Sequence, residues 1–264
     1  MSNQKLLRYT FCATAALGRL AAQQNGFYVG KPAQVFVFEE NATSAEANLE
    51  RRVITGVPFS ATAITTTTQV LADGNRITRT TEIAFARDSQ GRMRREQGLG
   101  AIGPWNTNRE NSRFVMIKDP VAQMQYILEP DGQTALKVST APNEANAKEF
   151  AAKKEAERNG LMARSAVGPP VIEDLGTKII EGVTAQGKRT TTTLGAGQIG
   201  NERPIETVSE VWYSPDLQTI VLSKRIDPRI GETEYKLTDI QRGEPAPSLF
   251  EVPAGYTIRE EKRR

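Results

Sequence analysis

The chain has one cysteine, Cys12, and no histidine among its 264 residues. Those two scarcities exclude a disulfide framework, a Cys/His zinc centre and any mechanism that runs on an imidazole base. No stretch of about 18 apolar residues occurs, so nothing reads as a transmembrane helix. There is no G-x-S-x-G nucleophile elbow, and the one S-x-x-K, Ser2 to Lys5, lies at the amino terminus. A calcium loop would need several acids in one D-x-D-x-D-G run, whereas Asp73-Gly74 and Asp131-Gly132 stand alone as hairpin turns. No cofactor and no metal is implied.

The net charge of +3 is concentrated at the amino terminus. Lys5 and Arg8 precede the short small-to-apolar run Phe11 to Ala22, and Leu20-Ala21-Ala22-Gln23 offers a small-residue cleavage point. Residues 1–22 therefore read as a secretory signal peptide, which makes the protein periplasmic or extracellular. Without Lys5, Arg8 and Arg19 the 34 basic residues fall to 31, equal to the 31 acidic ones, and Cys12 leaves with them. A neutral mature chain lacks the basic face that nucleic acid requires. Arg92, Arg94 and Arg95 read as the wet side of a strand.

Residues 23–58 form an amino-terminal extension, with an apolar run Val35 to Phe38 and a capping box, Thr43 to Glu46, ahead of a short helix. From Ser60 to Ser139 the pattern is a β-meander of five or six strands. β-Branched residues crowd Ser60–Leu71, Asp73-Gly74 turns, Arg76–Arg87 returns, and Gln90-Gly91 turns again. Arg113–Lys118 is apolar on both faces, and Gln123–Glu129 alternates. The segment 143–164 differs: Glu144/Lys148 and Glu149/Lys153 are spaced i,i+4 with the acid first, in an alanine-rich context, and predict a helical insertion. Strands resume through Lys178–Glu181, Lys188–Leu194, Ile205–Tyr213, Leu217–Ile226 and Thr233–Ile240. Residues 59–256 are one domain, and 257–264 a charged tail.

Two segments match G-x-G-x-x-G, beginning at Gly98 and Gly195. Neither leads into a helix that would present amide groups to a pyrophosphate, so both read as β-loops. Glu206, Glu210, Asp227 and Asp239 are carboxylates that acid–base chemistry would use if two converged; on a sheet they more simply face water. The stronger pattern is apolar. Phe114, Met116, Met124, Tyr126, Leu128, Trp212, Ile220, Leu222, Tyr235 and Leu237 recur at period two on separate strands. They are the candidate ligand-binding face, an apolar concavity for an acyl chain, or else ordinary core.

The order DGNRITRTTEIAFARDSQGRMRRE, FVMIKDPVAQMQYILEP, then LGTKIIEGV, EVWYSPDL and SLFEVPAGY resembles secreted bacterial proteins of LolA/LolB-like architecture, above all the uncharacterised ones of acidobacteria. The resemblance spans about Phe59 to Tyr256. It implies a mainly β (α+β) fold: a curved antiparallel sheet, or incomplete barrel, with one or two helices on the concave side. It also implies a non-enzymatic partner for a lipid or lipoprotein acyl chain; the alternative is a structural or interaction protein of the cell envelope with a filled core. SLFEVPAGY is expected to close the fold.

Overall fold

A computed structural model describes residues 53–98, 113–141 and 168–260. The amino-terminal 52 residues and the helical insertion expected at 143–164 lie outside the described residues. Those described form one sheet of twelve strands. In chain order they are β1 Phe59–Val70, β2 Arg76–Arg87, β3 Met93–Gly98, β4 Arg113–Asp119, β5 Met124–Glu129, β6 Thr134–Ser139, β7 Val171–Ile180, β8 Val183–Leu194, β9 Ile205–Ser214, β10 Thr219–Asp227, β11 Gly231–Arg242 and β12 Thr257–Glu260. Only two short 3-10 turns, Pro130–Gly132 and Pro247–Phe250, supplement them. The mainly β reading holds. No α-helix packs on the sheet among the described residues, so the helices of the expected architecture gain no support there.

The spatial order is β12-β6-β5-β4-β3-β2-β1-β11-β10-β9-β8-β7. Two meanders thus meet at β1 and β11. The first runs outward from β1 to β6, and the second runs inward from β7 to β11. Every neighbouring pair is antiparallel except β12 with β6. The sheet is open, ending in β7 on one side and β12 on the other. Thr257–Glu260, which opens the charged tail in the sequence reading, supplies that last strand.

Turn chemistry sets the registers. Asp73-Gly74 closes the first hairpin as expected, with Gly74 at φ 84° and the β1–β2 register unbroken from Phe59↔Arg87 to Val70↔Arg76. Buried aspartates fix two other turns. Asp88, fully buried, accepts the backbone N–H groups of Gln90 and Arg92 and the Arg92 side chain. Asp227 is likewise buried and holds the Arg229 guanidinium at 2.7 Å and the Arg229 N–H at 3.0 Å. Gly195–Gly200 is the turn between β8 and β9 and opens no helix.

The buried apolar residues divide into two clusters on the one sheet. The first joins Phe59, Ala61, Ala63 and Leu237 to Ile180, Val183, Ala185, Trp212, Leu217 and Val221. The second is Ala86, Val115, Ile117, Leu128, Ala135 and Phe250, with Leu249, Val252 and Tyr256 packed against it. SLFEVPAGY therefore does close the fold: it crosses the first meander as a strap and delivers the chain to β12. Beside the first cluster Arg87 is buried with its guanidinium 4.8 Å from the Phe59 ring, donating to the carbonyls of Val57 and Leu217. Desolvation lowers it to about 10, against a smaller opposing effect from Tyr213.

Candidate functional site

Directly opposed residues in an antiparallel pair share a face. Following that rule across the first meander gives two rows on one face. Ser60 opposes Ala86, which opposes Arg94, then Ile117 and Tyr126. Thr62 opposes Ala84, which opposes Glu96, then Val115 and Leu128. The strap covers the outer part of these rows, where the side chains are large. Over β1 and β2 they are only Ala, Ser and Thr.

That change in side-chain size leaves a trough of about 280 Å³ beside the strap, lined by Ser60, Thr62, Ala84, Ala86, Arg94, Glu96, Asp239 and Leu249 among others. One wall is the strap's Leu249, held by a hydrogen bond of 3.2 Å from Arg94 Nη1 to its carbonyl. Arg94 Nη2 also donates to Glu96 at 2.8 Å, and Arg113 reaches the other Glu96 oxygen at 3.1 Å. Burial pushes Glu96 up, but the hydrogen bonds and charges of Arg94 and Arg113 outweigh it and hold the carboxyl below its ordinary value. Asp239 stands at the opposite side in a left-handed conformation, φ 53°, where the β1–β11 register shifts between Ser60 and Thr62. A bulge of this kind re-aims a side chain.

The ten apolar candidates do not share this site. Phe114 and Met116 lie on the face opposite the trough, with Met116 beside Ile127 and Leu136 in a half-buried apolar row. Tyr126 and Leu128 lie on the trough face but under the strap, inside the second cluster, and Met124 shares their face at its edge. Trp212 and Leu237 are buried in the first cluster, with Leu222 and Tyr235 packed against it. Ile220 is buried beside the β9–β10 bulge. Trp212 lies flat on Gly187, where a Cβ would come within 2.6 Å of its ring, and the Lys178 ammonium sits 3.7 Å from the ring centroid.

Alternation along a single strand finds apolar faces but cannot say which faces of successive strands coincide. RFVMIK is apolar at every interior position, so the pattern leaves open whether Phe114 and Met116 or Val115 and Ile117 join Leu128. The trough itself is marked by smallness: Ala84 and Ala86 lie on β2 beside the Thr-rich strand β1, a signal that composition does not separate from β-propensity.

The four carboxylates are dispersed. Glu210 pairs with Arg189 at 2.8 Å. Asp227 is held down to about 2, chiefly by its hydrogen bond from Arg229. Asp239 lines the trough with the ion-paired Glu96, and Glu206 faces Thr193 across β8 and β9. Among the described residues no group of three or more acidic or cysteine side chains is placed to hold a metal, and no helix is long and apolar enough to cross a membrane.

No family model matches the chain, and no curated protein does. Solved structures share its general arrangement distantly. An uncharacterized conserved protein from Thermus thermophilus is 10% identical over 82% of this chain and 94% of that one, with a TM-score of 0.39. MucB in the Pseudomonas aeruginosa MucA/MucB complex is 14% identical over 80% and 59%, with a TM-score of 0.38. The LolA superfamily protein NE2245 from Nitrosomonas europaea is 10% identical over 80% and 97%, with a TM-score of 0.29. This chain spans about three-fifths of the MucB chain. At TM-scores below 0.5 these likenesses assign it neither family nor function.

Proposed function

We propose that this is an exported protein that binds, without chemistry, the apolar end of an amphiphile such as a lipid acyl chain. One observation carries the reading: a trough lined by Ala84, Ala86 and Leu249, whose charged lining residues Arg94 and Glu96 are paired with each other. Its size restricts the ligand. At about 280 Å³ it falls at the lower end of the ~300–1,000 Å³ typical of small-molecule sites. It suits one chain end and not a whole multi-acyl lipid. Glu96 sits in an ion-paired state and Asp227 is tied to its turn, so neither is poised as a general acid. The amino-terminal residues Lys5 to Ala22 support export to the periplasm or beyond.

Native mass spectrometry of protein purified from its own cell envelope tests this. A co-purifying lipid is the expected result. A clean unliganded mass, with no uptake of an added fatty acid, would sink the proposal. A second reading, an envelope interaction protein with no small ligand, is favoured by a different feature, the exposed outer strand β7.

A further inference from the structure

Three of the most exposed large apolar residues among those described lie on one edge strand: Val171 at 68%, Ile172 at 65% and Ile179 at 77%. A ten-residue edge with such side chains normally carries a device against pairing with another chain, often an outward lysine. β7 carries three charges, but each is engaged within the chain: Lys178 stacks on Trp212 at 3.7 Å, Glu173 pairs with Arg189 at 2.8 Å and Asp174 accepts the Gly176 N–H at 2.7 Å. The strand order leaves β7 without a neighbour on its outer side among the described residues.

The sequence of β7, VIEDLGTKII, is complementary to itself in antiparallel order. If residues whose numbers sum to 351 face one another, Ile172 opposes Ile179 of a second copy and Val171 opposes Ile180. Glu173 then opposes Lys178, and Asp174 opposes Thr177. The bulge in β7 between Asp174 and Gly176 exchanges the parity of the faces along the strand, and an odd sum is what keeps each of these pairs on one face. Moving the register by two residues in one direction sets Lys178 against Val171, and in the other Asp174 against Ile179. Leu175 and Gly176 meet at the axis, where glycine leaves room for leucine. The Gly176 amide is already satisfied by Asp174 Oδ1 at 2.7 Å, so the kink there leaves no donor unpaired.

We infer that β7 pairs with β7 of a second copy about a two-fold axis, joining two sheets edge to edge. Such an isologous contact closes on itself and stops at a dimer. Cross-strand Ile–Ile pairs are the units that stabilise a sheet contact of this kind, and setting Glu173 against Lys178 keeps like charges apart across it. The pairing does not depend on what the trough takes, so a dimer without ligand and a liganded monomer are separable results.

The test is sedimentation or light scattering on the full chain, followed by cross-linking. A dimer at tens of micromolar is expected, and Ile179→Lys, which alters a solvent-exposed side chain, is expected to weaken it at least about tenfold while leaving the circular dichroism spectrum unchanged. In a Cys12→Ser background, a mixture of Ile172→Cys and Ile179→Cys chains should form a disulfide-linked dimer on mild oxidation, and neither variant by itself should. A monomer at these concentrations overturns the inference. So does a dimer that survives Ile179→Lys, a cross-link within one variant, or open-ended assembly through β12 at the other edge.

Discussion

The two meanders cover their apolar faces by different means. The first, β1 to β6, borrows the cover of its trough-side face from the far end of the chain: the strap's Phe250 is 4% exposed, with Leu249, Val252 and Tyr256 packed against the same cluster. The second, β7 to β11, packs against Phe59, Ala61 and Ala63 of β1 and otherwise uses its own side chains, chiefly Trp212 lying on Gly187 and the Ile180–Val183 hairpin end. A borrowed cover ends somewhere, and the trough lies where this one stops. A self-made cover leaves its outer strand bare, and that strand is β7. Both candidate contacts with other molecules follow from how each half solves the burial of one sheet face.

The largest expected effects come from removing each cover. Phe250→Ala and Trp212→Ala should each cost about 3–5 kcal/mol in urea unfolding, the usual range for a buried aromatic. Amide exchange separates the halves: Phe250→Ala should loosen β4 to β6 before β8 to β10, and Trp212→Ala the reverse. Equal loosening in both would show that the two clusters unfold as one. Glycines extend the contrast. Gly187→Ala drives a Cβ to within 2.6 Å of a fixed aromatic ring and should cost about 1–3 kcal/mol by overpacking. Gly98→Ala meets nothing within 4 Å and should be neutral or stabilising by up to about 1 kcal/mol.

The turn aspartates are the next step down. Asp227 is lowered from 3.8 to about 2 in the folded chain, first by the Arg229 hydrogen bond and against desolvation. Its stabilisation is thus complete above the unfolded value of 3.8 and is lost as the pH falls through about 2. Arg229 is 44% exposed, so screening reduces the contribution to about 1–2 kcal/mol. Asp227→Asn should lower stability by that amount at neutral pH, and the difference from wild type should shrink below pH 3.8 and vanish once the pH is under about 2. The smallest effect belongs to the threonine ladder. Thr66 meets Thr80 at 3.5 Å, and Thr68 meets Thr78 at 3.4 Å, both pairs exposed. Thr66→Ala should cost about 0.2–1 kcal/mol by thermal unfolding.

The strands were largely legible because their ends are written locally. Asp73-Gly74, Gln90-Gly91 and Asp131-Gly132 each turn the chain where expected, and Arg76–Arg87 is bounded as the sequence reading has it. What was not legible is non-local. Nothing near Val115 says that its partner is Leu128 and not Ile127, so the apolar candidates were gathered onto one face when they occupy two. β7 was underestimated at its start because Glu173 and Asp174 break the apolar pattern there, although pairing with Arg189 and Lys188 extends the strand through them. The trough is illegible in the sequence for a related reason. It is made by four strands and a strap that meet only in the fold, and its floor is defined by what alanine lacks.

The most direct measurement is displacement of a fluorescent fatty acid from the wild-type protein and from Ala84→Trp, which fills the trough from an exposed position. Saturable binding to wild type that falls at least about tenfold in Ala84→Trp, with unfolding midpoints alike, is the predicted result. Equal binding by both proteins, or none by the wild type, would contradict the assignment of the trough as the binding site.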